Sequence, residues 1–122
     1  MHTRMVGISA TNATPFQAIQ EAVEQLGYRG RWIESADALP SPGVVYQPIC
    51  LDTDGINRET IIRAEWLHQR FPAAKIIVIA SFPRVDQIET LITLGIRQIV
   101  SKPYRLTDLG YAIERCVSPA RK

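Results

Sequence analysis

The stretch Lys75–Ser81, "KIIVIAS", decides the fold. It is the most apolar run in the chain, and it shows no alternation of apolar with polar residues. A strand with one wet face alternates; one without alternation is covered on both faces, as in a parallel sheet sandwiched by helices. The neighbouring runs agree. Before it, "NRETIIRAEWLHQRFP" (57–72) reads as a helix, with Ile62 and Trp66 one turn apart and Pro72 just past the end. After it, "FPRVDQIETLITLG" (82–95) reads as a helix with Val85, Ile88, Leu91 and Ile92 inward and Gly95 as its stop.

The same alternation extends outward. "RMVGIS" (4–9) is a short buried strand. "TPFQAIQEAVEQLGY" (14–28) is a helix, with Thr14 as N-cap, Pro15 at the first helical position, Gln17 completing a capping box and Gly27 at the stop. Phe16, Ile19, Val23 and Leu26 form its apolar stripe. "RGRWIES" (29–35) is a second strand. "ADALPSPGVVYQ" (36–47) allows one short helical turn, because Pro40 and Pro42 interrupt it. "PICLD" (48–52) is a third strand, with Pro48 at its start. "IRQIVS" (96–101) is the fifth strand. "RLTDLGYAIERCV" (105–117) is the last helix, with Leu109, Ala112, Ile113 and Cys116 on one face. Gly110 weakens that helix by about 1 kcal/mol relative to Ala. Five strands alternating with helical segments predict an α/β fold: a five-stranded parallel sheet, doubly wound, with helices on both faces.

Composition narrows the function. The chain has 122 residues, suited to a single domain (1–122), with 118–122 as a linker or frayed tail. A net charge of +2 gives no electrostatic case for direct nucleic-acid or membrane binding. No apolar run approaches the ~20 residues of a membrane span. "MHTRMVGIS" has no signal-peptide pattern, so a reducing, cytoplasmic setting is expected, with Cys50 and Cys116 as buried free thiols. His2 and His68 lack companion ligands, which argues against zinc. The seven glycines form no G-x-G-x-x-G, and "DTDG" has no histidine for a D-x-H-x-x-G pattern, so dinucleotide and cobalamin modules have no support.

In doubly wound folds ligands bind beyond the C-terminal strand ends. Three of those ends carry chemistry: Asp52 after the third strand, Ala80-Ser81 after the fourth, and Lys102-Pro103 after the fifth. A carboxylate and a lysine at neighbouring tips can meet, each lowering the other's cost of burial.

With these residues the chain resembles the receiver domain of two-component response regulators (flavodoxin-like, CheY-like) over nearly its whole length. The resemblance rests on "PICLD" with Asp52, "RFPAAKIIVIAS", "LGI" before the fifth strand, and "SKPY". The spacing matches too: Pro72 lies 20 residues after Asp52, and Lys102 lies 22 after Ala80. The resemblance implies that Asp52 occupies the phosphoacceptor position. It also implies that Lys102 pairs with it and with a phosphoryl oxygen, and that the bond to Pro103 is cis.

The departures matter equally. The acidic pair that holds Mg²⁺ in working receivers falls on Ala10 and Thr11. The switch hydroxyl position is Ala80, with the hydroxyl displaced to Ser81; the aromatic switch position is Ile99; and Ile56 replaces a customary proline. Moving a phosphoryl group onto a carboxylate brings two anions together, and the metal supplies much of the neutralisation. Asp52, Asp54 and a backbone carbonyl make a poor Mg²⁺ set. The expectation is a pseudo-receiver: no cofactor, no enzyme activity, and little or no phosphorylation. It would act as a protein-interaction and dimerisation module of a bacterial signalling or transcriptional regulator, attached to an output domain or separate from it. The alternative is a phosphoacceptor that takes its phosphoryl group from a histidine kinase through a makeshift Mg²⁺ site.

Each residue also has a plainer reading. Asp52 and Lys102 can be a retained salt bridge, Asp54 a turn residue, and Ser81 a strand-end hydroxyl bonding local backbone. Trp32 and Trp66 read as core or rim aromatics. Arg84, Arg97, Arg105, Arg115, Arg121 and Lys122 read as solvated surface. In receivers, the face formed by the helix after the fourth strand, the fifth strand and the last helix makes dimer or partner contacts, and several of these arginines fall there.

Overall fold

A computed structural model describes residues 5–33 and 46–117. The strands are β1 (Met5–Ser9), β2 (Arg29–Trp32), β3 (Tyr46–Asp52), β4 (Ile76–Ser81) and β5 (Gln98–Lys102). They form one parallel sheet in the order β2-β1-β3-β4-β5. The helices are α1 (Ala13–Gln25), α2 (Arg58–Arg70), α3 (Val85–Thr93) and α4 (Leu106–Val117). The order is that of a flavodoxin-like sheet, reversing direction between β1 and β3.

The central strand behaves as its composition requires. Ile77 and Ile79 point into one layer with Ile8, Val23, Leu109 and Ile113, beneath α1 and α4. Ile76, Val78 and Ala80 point into the other with Leu51, Leu67 and Leu91, beneath α2 and α3. A strand buried on both faces has no polar position to spare, which is why "KIIVIAS" does not alternate. Gly27 and Gly95 stop their helices at φ +94° and +93°, a conformation that disfavours a Cβ. Gly110 has a packing reason to be small: a Cβ there would lie 3.0 Å from Cδ2 of Leu26, where α1 meets α4.

Several local expectations change. Helix α1 begins at Ala13, capped by Asn12, whose side chain accepts from the Thr14 N–H at 3.2 Å; Thr14 is not the cap and Pro15 is the third helical residue. Strand β3 begins at Tyr46, so Pro48 lies inside it, after a cis bond from Gln47. The β1 pairing slips there, between Met5 and Gly7, and β4 pairing starts only at Ile49. The missing proline N–H therefore interrupts no β4 ladder bond. In α3 only Leu91 is fully buried; Val85 is 73% and Ile92 45% exposed, because nine residues lying on the sheet edge bury one narrow stripe. Helix α2 turns Thr60, Ala64 and Leu67 inward and leaves Ile62 exposed. The last helix buries the four residues its spacing predicted. The helical turn with Pro40 and Pro42, the end of the second strand (34–35), His2, and the tail with Arg121 and Lys122 lie outside the described residues.

Candidate functional site

Sheet geometry brings the strand tips together. Asp52 closes β3 opposite Ile79, and Lys102 closes β5 opposite Ser81. The lysine reaches across the end of β4, and its Nζ lies 2.7 Å from Oδ1 of Asp52. The carboxylate is 8% exposed and the lysine side chain 24%. The Lys102–Pro103 peptide is cis, as the resemblance implied. Asp54 stands 3.9 Å from the same ammonium but is fully exposed, so its share of the pairing is small.

The loop after Asp52 is held by its own hydroxyls and amide. The Thr53 hydroxyl donates to the Gly55 carbonyl at 2.8 Å and lies 3.1 Å from the Thr60 hydroxyl. Asn57 and Thr60 cap α2 reciprocally: the Thr60 N–H donates to Asn57 Oδ1, and the Asn57 N–H to Thr60 Oγ1. Ile56 is buried. The Asp54 carbonyl accepts from the Ser81 N–H at 3.0 Å, which ties this loop to the tip of β4.

Around the pair opens a cleft of about 560 Å³, walled by Thr11, Asn12, Asp54, Glu59, Arg63 and Lys102. Ala10 turns its methyl into the core, and Thr11 faces the cleft. The Ala10 carbonyl accepts from the Trp32 indole N–H at 3.2 Å, and the indole stacks on Phe16 at 4.9 Å. Trp32 is thus a rim aromatic that closes the β1 end. Trp66 meets Phe71 edge-on at 6.5 Å, with the Arg70 guanidinium 5.7 Å above it. Both tryptophans make aromatic packing contacts.

The residues present do not fit a Mg²⁺ ion. Ala10 has no donor side chain, the Asp52 carboxylate is engaged by Lys102, and the nearest second carboxylate is on the exposed Asp54. Among the described residues, no group of three or more His, Cys, Asp or Glu is placed to hold a metal. Ala80 is fully buried with no hydroxyl to offer, Ser81 bonds the neighbouring loop through its backbone N–H, and Ile99 is half-buried against the α2–α3 layer.

Behind the pair, burial pushes the Cys50 thiol up to about 12, with Cys116 and the Asp52 carboxylate adding to the shift. Burial also lifts Cys116 to about 11, although Lys75 opposes it. Burial, then Cys50 and Asp52, raise the Tyr104 phenol. Both thiols are free and buried, as expected from their sequence setting.

The roles of several contributors went unread in the sequence. Asn12 was legible as a cap of the loop after the first strand but not as the N-cap of α1, and Thr60 carries an ordinary capping signal. Gln87, the third residue of α3, carries the capping-box signal and also reaches the Asp52 loop, donating from Nε2 to the Ile56 carbonyl at 2.8 Å. Trp32 carries no such signal, since its bond to Ala10 depends on which strand lies beside β1.

No protein-family model matches the chain, and no curated protein matches it in sequence. Solved structures do match in fold. A putative pilus assembly-related protein from Burkholderia pseudomallei aligns with a TM-score of 0.79 at 13% identity, covering 98% of this chain and 93% of that one. A response regulator from Thermotoga maritima aligns with a TM-score of 0.75 at 19% identity, covering 96% and 99%. The non-phosphorylated HemR receiver domain from Leptospira biflexa aligns with a TM-score of 0.74 at 17% identity, covering 98% of each chain. At these identities the likeness establishes the receiver-type, CheY-like fold.

Proposed function

We propose that the chain is an atypical receiver-type regulatory domain, working through protein–protein contacts rather than through Mg²⁺-dependent aspartyl phosphorylation. The observation that carries this reading is the lack of a carboxylate at Ala10 and Thr11, the positions beside the Lys102–Asp52 pair where the resemblance puts the acidic pair of a working site. An ammonium already neutralising Asp52, with no acidic partners for a divalent cation, favours a closed electrostatic unit over a phosphoryl acceptor. The domain then needs no cofactor, is not an enzyme, and acts in the cytoplasm on an attached or separate output domain.

The interaction surface in this reading is the face of α3, β5 and α4. Val85, Ile92, Leu106 and Tyr111 are exposed there, among Arg97, Arg105 and Arg115. Apolar side chains bordered by arginine suit a homodimer or a protein partner. Sedimentation over a concentration series tests it: association weakened by Val85→Asp is expected, and a strictly monomeric profile counts against it.

Incubation with Mg²⁺ and acetyl phosphate, or with beryllofluoride, tests the chemistry. No change in mass or spectrum is expected. A phosphoryl mass shift that Asp52→Ala abolishes would establish instead a phosphoacceptor served by a histidine kinase.

A further inference from the structure

Helix α2 carries apolar side chains that its own fold does not bury. Ile62 lies in the middle of the helix and is 54% exposed, while Thr60, Ala64 and Leu67 face the sheet. One turn on, the half-buried Trp66 continues the same outer stripe. With Glu59 and Arg63 these two line a shallow cavity of about 280 Å³. The charges at the ends of the helix follow the stripe. Glu59 stands in the first turn and Arg70 in the last, with the Arg70 guanidinium 5.7 Å above the Trp66 ring. From 59 to 70 is about three full turns, so these opposite charges share one edge of the helix, about 16 Å apart. Neither has an ion-pair partner among the described residues.

That pattern is self-complementary. The midpoint between Ile62 and Trp66 is Ala64, and the midpoint between Glu59 and Arg70 falls within one residue of it. A two-fold axis crossing the helix there lays a second α2 antiparallel on the first and brings like edges together. Ile62 then meets Trp66 of the second copy, and Glu59 meets Arg70 of the second copy, each contact made twice. Antiparallel alignment also opposes the two helix dipoles. A parallel pair would set Glu59 level with Glu59 of the second copy, about three turns from its Arg70. We propose that α2 is a docking face for a second copy of this chain, held by the Ile62–Trp66 contacts and ordered antiparallel by the Glu59–Arg70 pairs. Tryptophan and arginine are the residue types that interfaces enrich. The surface differs from the α3–β5–α4 face and does not depend on the state of Asp52. A contact between two single helices falls short of the ~1,000 Å² of a stable interface, so the association is weak and follows concentration.

Sedimentation equilibrium up to about 1 mM chain tests it, with Val85→Asp in every sample to remove the α3–β5–α4 contact. A dimer is expected to persist in that background. Ile62→Asp should weaken it about tenfold or more. Glu59→Arg and Arg70→Glu, each alone, set like charges against each other twice in the homodimer, and each should weaken it about fivefold. An equal mixture of these two variants restores both pairs in the heterodimer and should recover association to within about twofold of the parent. Each substitution also opposes its own helix dipole and lowers the stability of its own chain. Mixing cannot repair that loss, so recovery reports the contact and not the fold. A monomer throughout the series overturns the proposal. So does an unchanged dimer in Ile62→Asp, or a mixture that associates no more than its two components. Association of the wild-type chain that Val85→Asp weakens reports the α3–β5–α4 face, so the two surfaces fail separately.

Discussion

Replacing Lys102 with methionine removes the ammonium and keeps most of the stem's apolar contacts. The pair has one nearly buried member, Asp52 at 8% exposure, and one that reaches solvent, Lys102 at 24%. Breaking a fully buried pair costs about 3–5 kcal/mol, and an exposed pair is worth about 0.2–1 kcal/mol. This pair lies between those limits and nearer the first, so Lys102→Met should cost about 2–3 kcal/mol. Asp52→Asn should cost less, about 1–2 kcal/mol, because an abandoned lysine can turn to water and an abandoned buried carboxylate cannot. Asp54→Asn should change nothing measurable, since that side chain is fully exposed at 3.9 Å. Urea unfolding followed by the fluorescence of Trp32 and Trp66 measures all three, with unchanged m-values expected. The loss in Lys102→Met should persist in 1 M salt, because a contact of 2.7 Å lies inside the ~3 Å screening length. Equal effects of Lys102→Met and Asp54→Asn would refute the reasoning, as would a larger cost for Asp52→Asn than for Lys102→Met.

Other outcomes follow from packing and titration. Gly7→Ala places a Cβ 2.8 Å from Ile33 Cδ1 and close to Ile49 and Tyr46, so it should destabilise by about 1–3 kcal/mol in the same unfolding assay. Gly110→Ala should come out near neutral, because about 1 kcal/mol of helix propensity is offset by a 3.0 Å contact with the movable end of Leu26. Trp32→Phe keeps the stack on Phe16 and loses the bond to the Ala10 carbonyl, for a loss of about 1 kcal/mol in chemical denaturation. The thiols of Cys50 and Cys116 are raised from 9.0 to about 12 and about 11. The unfolded chain therefore gives up these protons at lower pH than the folded one. Their contribution is fully present below about pH 9 and is lost as pH rises toward 12; unfolding midpoints measured from pH 7 to 11 should show the decline.

The layer architecture was legible because burial on both faces leaves a compositional mark. "KIIVIAS" and the helical stripe of Leu109, Ala112, Ile113 and Cys116 are read correctly without coordinates. Residues near element ends were less legible. Asn12 and Thr14 are equally good caps in isolation, and the turn out of β1 selects Asn12. Val85 and Ile92 have the spacing of a buried stripe, yet α3 rests on the sheet through Leu91, so periodicity alone overstates what the helix covers. Pro48 reads as a strand start, and the slip between Met5 and Gly7 lets the strand run through it.

The candidate site divides along the same line. That Asp52 and Lys102 each close a strand follows from the order of apolar runs, and that Ala10 and Thr11 carry no carboxylate is read from the sequence; the strands themselves are separated by β4 rather than adjacent. Long-range approach decided the rest. The 2.7 Å contact exists because β3 and β5 flank β4, and Lys102, level with the last β4 residue Ser81, reaches over it to Asp52. Trp32 meets the Ala10 carbonyl because β2 pairs with β1, and Gln87 reaches Ile56 because α3 starts above the Asp52 loop. Local sequence specifies periodicity, caps and which groups are present, since those act over a few residues. Which polar groups meet across strands is set by sheet order and register, and only the folded chain contains them.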